Sequence, residues 1–435
     1  MFFGRKSRTR IETTIAESQP DQRYWATVRR QFRKNRLAVW SLRGLYVLLF
    51  VALFADFIAN EKPIYCKIAG KTYFPIFKQY AVNLGLTQWD AQFLLANWSE
   101  LPYESAVFPL IPYSYNTIDR KNLSYAHPWK KQNIPSWRWR HWLGTDQVGR
   151  DVLAGMIAGT RMAMLVGIVA MAIATMIGVF FGAIAGYFGD GRLRISRIRL
   201  ILNMIGLLFG VFYGFIVRSA AFSEGNFPLE LLKSFGMLIV ILIIFNLLAI
   251  LLKKIPALGK KITFPADILI MRFIEVIESI PALLLILSVV AVIQKPSVLY
   301  VMAIIGLIRW TAIAQFIRAG LLRIRNLSYI EAAQAMGFSE WRIIARHALP
   351  NALTPVLITV AFGIASAILL EAFLSFLGVG VPADQVTWGS MLSAARQRTA
   401  AWWLAVFPGL AIFFTVTIFN LIGEGLTDAL DPKQK

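Results

Sequence analysis

The sequence predicts an all-α polytopic membrane protein with about eight transmembrane helices and an extracytoplasmic segment after the first of them. Composition is the first observation behind this: 57% of the 435 residues are hydrophobic and 16% are charged, against about 25% charged in soluble domains. Spacing is the second: apolar runs long enough to cross a bilayer, roughly 20 residues each, recur along the chain with a mean hydropathy of +0.59. The third is where the basic residues lie. Lys and Arg total 45 against 24 Asp and Glu, a net charge of +21, and they cluster beside the apolar runs as topology signals do. That placement excludes nucleic-acid binding as the reason for a pI near 10.2.

The first apolar run covers 37–59 and follows a basic tail, 1–36. Basic residues precede it and no small-residue cleavage site follows it, so it is expected to remain as an anchor. Within the tail, Tyr24, Trp25, Val28 and Phe32 lie opposite Arg29, Arg30 and Arg33 at helical spacing, as in an amphipathic helix on the inner membrane surface. The polar, aromatic stretch 60–160 is too long for a connection and is expected to fold outside the membrane. Its Trp89, Trp98, Tyr103, Trp129, Trp137, Trp139 and Trp142 suit a small core or a headgroup interface.

The second run, 162–187, carries Gly178, Gly182 and Gly186 at fourfold spacing, a face for close helix packing. The remaining runs are 200–217, 235–252, 268–293, 299–317, 352–377 and 403–422, and a final tail occupies 426–435. An even number of spans places both termini on one side. Placing the basic tail in the cytoplasm also puts there the loops containing Arg192, Arg194 and Arg197, Lys253, Lys254, Lys260 and Lys261, and Arg323, Arg325, Arg342 and Arg346.

Catalytic apparatus is missing from the sequence. No phosphate-binding loop, nucleophile elbow, zinc-protease helix or dinucleotide fingerprint occurs, and one Cys with three His excludes a disulfide and a zinc cluster. The stretch from Gly144 through Asp146, Gly149 and Arg150 to Asp151 reads as turn chemistry rather than a metal loop. Carboxyls within the spans are costly, so Glu275, Glu278 and Glu371 should face the protein interior or a water-filled path. Glu275 and Glu278 share a helix face near Pro281, where the backbone should break.

The loop after the sixth span reads as helix, glycine stop and second helix: Glu331 to Met336 favours helix, Gly337 suits its C-terminal end, Ser339 suits an N-cap, and Leu349-Pro350-Asn351 closes the unit. Ala332 and Ala333 are expected on its exposed face. Glu331-Ala332-Ala333, Gly337 and Leu349-Pro350 resemble the EAA loop of type I ABC importer permeases. Further stretches are similar to the C-type permease of dipeptide and oligopeptide importers. These are His141-Trp142-Leu143-Gly144-Thr145-Asp146, Glu371-Ala372-Phe373-Leu374-Ser375-Phe376-Leu377-Gly378, Phe407-Pro408-Gly409 and Asp428-Ala429-Leu430-Asp431-Pro432.

The resemblance implies a type I ABC transmembrane domain over 161–425, with six family helices plus an inserted pair at 191–263 and a cytoplasmic coupling loop at 320–351. It further implies that Glu331, Ala332, Ala333 and Gly337 form the surface gripped by an ATPase, with Arg346, His347, Leu349 and Pro350 fixing the return to the membrane. The implied partners are a second homologous permease subunit, two ABC ATPase subunits, an extracytoplasmic substrate-binding protein and membrane lipid. The chain would bind no cofactor; ATP and Mg would belong to the ATPase subunits. Implied too are peptides as substrates, a bacterial inner-membrane location and no enzymatic activity in this chain. Two other readings stand beside it: an ion-coupled carrier using the intramembrane glutamates as proton sites, and a membrane anchor whose outer segment binds a partner.

Overall fold

The computed structural model describes residues 20–94, 96–224, 227–253, 260–292, 297–380, 382 and 385–430. Arg5, Lys6, Arg8, Arg10, Lys254, Asp431 and Pro432 lie outside the described residues, as do the side chains of Tyr24 and Trp25. Helix α1 is Pro20–Phe32 and α2 is Arg36–Leu53. Asn35 caps α2, its Oδ1 accepting from the Ala38 amide at 3.1 Å, while its Nδ2 donates to Asp428 at 3.1 Å. The first and last spans are thereby joined at one end of the bundle, here termed the terminal end. The tail helix does more than lie on a surface. Val28 is buried, and a methyl built on Gly425 of the last helix would meet the Phe32 ring at 3.0 Å.

Helix α3, Val152–Ala183, runs through a π-helical turn to Phe188. It starts ten residues before the apolar run, so the expected boundary at 160/161 falls within a helix. Asp151 caps the first turn, and Arg161 donates from Nε to the Ala52 carbonyl at 2.9 Å and from Nη1 to Asp56 at 2.9 Å, so a charged residue sits inside the helix with its needs met.

Helices α4 (Arg197–Val211) and α5 (Phe227–Leu252) form the inserted pair. They pack mainly on each other. Gly206 lies against Phe245 and Gly210 against Leu238, while Asn246 donates to Asn203 at 2.6 Å. The pair is tethered at its base by the antiparallel ladder of β4 (Arg194–Ser196) with β5 (Lys261–Thr263), and it stands at the periphery of the bundle.

The fifth apolar run is a broken pair, α6 (Ala266–Ser279) and α7 (Ala282–Val292), bent by 80°. Proline explains the break: Ile280, before Pro281, takes an extended conformation (φ −92°, ψ 125°). Counting it as one span gives eight passages, seven of them continuous helices. The path of the chain supports that count. Helix α8, Val298–Ile324, runs parallel to α3, because Gly306 meets Ala170, Gly178 meets Ile313, Gly182 meets Ala314 and Gly186 meets Arg318 in step. Helix α6 begins beside Asp190 at the terminal end, and α8 begins at the far end, so the bent pair carries the chain between them.

Helices α9 (Ser328–Ala335), α10 (Thr354–Phe376), α11 (Trp388–Ala395) and α12 (Trp403–Leu430) complete the bundle. At the far end, β1 (Tyr65–Ile68) pairs with β2 (Lys71–Tyr73) and with β3 (Ser105–Val107), and Cys66 is buried between them. Ala55, Ile111, Tyr113, Ala154 and Ile157 join this segment to the helices. Its aromatic residues divide. Trp98 is buried against Phe93, whereas Trp129 and Trp137 are exposed.

Candidate functional site

The loop from Arg325 to Leu353 begins where α8 ends and is fixed by a single apolar core. Ile330 and Ala333 of α9, with Ile343, Ile344, Ala348 and Ala352, are buried together with Tyr187, Leu321 and Ile324. Two polar contacts add to this: the Tyr187 hydroxyl donates to the Glu340 carboxylate, and Gln334 Nε2 donates to the same hydroxyl at 3.2 Å. The loop therefore rides on the ends of α3 and α8 as one body.

Gly337 has φ +78° and open space around it, so its conformation alone demands glycine. It ends α9 in a Schellman motif, in which the Phe338 amide donates to the Ala333 carbonyl at 3.2 Å and the Gly337 amide to the Gln334 carbonyl at 2.9 Å. Glu331 and Ala332 are exposed, as expected, but Ala333 is not. Ala333 lies three residues after Ile330 on the face that enters the core. Ser339 takes the N-cap conformation without a side-chain capping bond. The second helix does not stop at Leu349-Pro350-Asn351 either. From Glu340 it continues through a π-helical turn to Ala352, since proline near the start of a helical turn has no amide bond to lose.

Arg346 and Pro350 are exposed, whereas Leu349 packs on the core. His347 stacks parallel to Phe338 at 6.1 Å, and its carbonyl accepts from Asn351 at 2.9 Å. Sequence reading missed two large exposed side chains beside the small ones, Met336 (65% exposed) and Trp341 (57%). Large apolar groups exposed around small residues are a partner-binding pattern.

The three intramembrane glutamates are not brought together. Only Glu371 is in the chain's interior, accepting from Ser375 Oγ at 2.5 Å. Glu275 is exposed and pairs with Arg272 on its own helix at 2.6 Å. Glu278 is exposed too and accepts from Gln315 of α8 at 3.1 Å. Sequence reading also missed Arg309, which lies within α8 on an exposed position and whose side chain has no ion pair or hydrogen bond among the described residues. A charge within a span was the available signal.

At the far end, the glycine-flanked stretch builds turns. Gly144 and Gly149 have φ of +78° and +85°, and Asp146 Oδ1 accepts from the amides of Val148 at 2.9 Å and Arg150 at 2.8 Å. Asp151 caps α3 through Oδ1 and meets His141 Nδ1 through Oδ2 at 2.8 Å.

Comparison with known proteins bears on these elements. The family described as "Binding-protein-dependent transport system inner membrane component" matches residues 247–435, which include the loop and the three glutamates. The family described as "N-terminal TM domain of oligopeptide transport permease C" matches residues 23–77. The chain is 27% identical to the peptidoglycan transport system permease protein YejE of Agrobacterium fabrum, over 97% of each chain. It is 29% identical to the inner membrane ABC transporter permease protein YejE of Escherichia coli, over 96% of this chain and 98% of the relative. With the glutathione transport system permease protein GsiD of Pectobacterium atrosepticum it shares 31% identity, over 68% of this chain and 73% of the relative. Nothing in these similarities supports an ion-coupled carrier. The apolar spans, the loop fixed to their ends and these matches together place the chain in the family of C-type inner-membrane permeases of binding-protein-dependent ABC importers, multi-pass transport subunits that are not enzymes and whose ATP is hydrolysed by separate chains.

Proposed function

We propose that this permease carries peptides into the cytoplasm. The observation behind the substrate class is the set of names its relatives carry: dipeptide, D,D-dipeptide, oligopeptide and glutathione transport permeases. A second homologous permease completes the translocation path, an extracytoplasmic binding protein delivers the solute, and two ATPase subunits hold ATP and Mg. The terminal end, carrying the tail, the loop and the last helix, faces the cytoplasm, and the positive loops support that orientation.

Coupling runs through residues 320–351. Glu331, Ala332 and Gly337, flanked by Met336 and Trp341, offer the ATPase its contact, while the buried Ala333 joins that surface to the core. Arg346, His347, Leu349 and Pro350 hold the return to α10. Because Tyr187, Glu340 and Gln334 bind the loop to α3, ATPase closure displaces helices instead of bending a hinge. Alternating access follows if the closed ATPase pair binds one conformation of the helices better than the other. Glu275 and Glu278 line or gate the path on the surface meeting the second permease, and Glu371 holds α10 in shape from inside.

The test is uptake by the purified four-subunit transporter in liposomes with its binding protein. ATP-dependent accumulation of a labelled peptide, absent without ATP, is expected. Accumulation driven by a proton gradient without ATP would overturn the mechanism, and ATP-driven uptake of other solutes with no peptide uptake would overturn the substrate class.

A further inference from the structure

Helix α12 carries an exposed apolar stripe, Val406, Leu410, Phe413 and Phe414, at helical spacing. It packs beside α2, with Gly44 against Ile418, and α2 in turn exposes Val47, Phe50 and Leu53. Neither helix packs closely on α6 or α8, the elements that hold Glu275, Glu278 and Arg309. An apolar wall of this kind on spanning helices faces acyl chains. Trp402 stands at its far-end limit, one turn above Val406, whose amide donates to the Trp402 carbonyl at 2.9 Å. On Trp402 lies Trp129, exposed on its other side, with ring centroids 5.1 Å apart. The next two residues, Lys130 and Lys131, are exposed and have no ion pair among the described residues. Arg140 ties the same loop down. Its Nη2 donates to the Pro128 carbonyl at 3.1 Å, and its guanidinium sits over the Trp142 ring at 5.8 Å.

Charge and height identify what meets this patch. Residues 120–150 hold seven Lys and Arg against one acid, Asp146, whose carboxylate is taken up by the amides of Val148 and Arg150. The positive loops that set topology lie at the terminal end, and basic residues at the opposite end work against them, so topology does not account for these. Trp beside Lys and Arg, at the level where a lipid-facing stripe ends, is the pattern of a headgroup interface. There the ring lies at the top of the acyl chains and the ammonium reaches the phosphates. We infer that Trp129, Lys130 and Lys131 form a seat for the anionic headgroup of a glycerophospholipid in the leaflet at the far end. Trp129 and Trp402 supply its apolar floor, and the two ammonium groups meet the phosphate. A lipid held there fixes the segment between α2 and α3 against the membrane beside α12.

The test is photo-crosslinking of the full chain in bilayers, using phosphatidylglycerol and phosphatidylcholine that each carry a photoreactive group next to the phosphate, with adducts mapped to peptides. Adducts on 127–142 are expected, more with phosphatidylglycerol than with phosphatidylcholine. In the double variant Lys130→Gln with Lys131→Gln, the phosphatidylglycerol adduct on that peptide should fall by about tenfold or more, while adducts elsewhere keep their yield. An unchanged melting temperature would show that the variant folds, and the comparison of the two lipids on the wild type stands without it. No adduct on 127–142 in the wild type would overturn the seat by placing the patch away from lipid. Equal yields for the two lipids, or a yield unchanged in the folded double variant, would overturn it as well. Unchanged lipid adducts together with lost stimulation of the assembled transporter by its binding protein would show a protein dock in place of a lipid seat.

Discussion

His141 shows how one buried side chain organises the segment between the first two long helices. Its Nδ1 lies 2.8 Å from Asp151, its Nε2 lies 3.1 Å from Asp119, and its ring stacks on Tyr113 at 4.4 Å. Burial favours the neutral ring, but the bonds and charges of Asp151 and Asp119 outweigh it and raise the His141 pKa above its ordinary value. A raised folded value means that the ionised ring stabilises the fold fully below about pH 6.5 and that this stabilisation is lost as pH rises through the folded value. Amide exchange across 119–151, corrected for its intrinsic rate, should therefore accelerate as the solution is made alkaline, and His141→Phe should flatten that dependence. The helix glycines make a separate prediction. A methyl on Gly182 would sit 2.6 Å from the Ala314 carbonyl, so Gly182→Val should cost about 1–3 kcal/mol or more and lower the melting temperature. Gly409 has nothing within 4 Å, so Gly409→Ala should be neutral or slightly stabilising.

Elements were legible in proportion to how local their causes are. The apolar runs showed where helices cross, and the fourfold glycines at 178, 182 and 186 identified the face of α3 that meets α8. The same pattern at Gly206, Gly210 and Gly214 lay unread in the inserted pair. The start of α3 was hidden because Arg161 interrupts the hydropathy, and its bonds to Ala52 and Asp56, which satisfy the charge, come from residues far away in sequence. Within the loop, the glycine stop was readable, whereas the burial of Ala333 comes with a core that includes Tyr187, distant in sequence. The loop carries its own prediction. Gly337 has open space around it but holds φ +78°, so Gly337→Asp should leave membrane insertion intact while straining the turn that ends α9 and placing a charge on the contact surface. Uptake driven by ATP should fall by about 5- to 150-fold, the span of ordinary coupling energies. Normal uptake by that variant would remove Gly337 from the coupling surface.

At the scale of the whole molecule, the arrangement is a bundle with two unlike ends. The hydrogen bond between Asn35 and Asp428 joins first and last spans at the end that carries the loop, while the folded segment between α2 and α3 occupies the other. Parallel packing of α3 and α8 requires the bent pair to cross, which keeps the loop on the same side as both termini of the bundle. Proteolysis of right-side-out membranes should thus cut the outer segment and spare 320–351, with inverted membranes giving the opposite pattern.

The most direct measurement of the central claim is a cross-link from the loop to an ATPase subunit in the assembled transporter. Cys66 is buried and burial pushes its thiol pKa up, so it stays silent and Ala332→Cys supplies the reactive group. The account predicts an adduct between residue 332 and the ATPase whose yield changes when ATP is bound. An assembly that still hydrolyses ATP and transports, yet forms no adduct at that position, would contradict it.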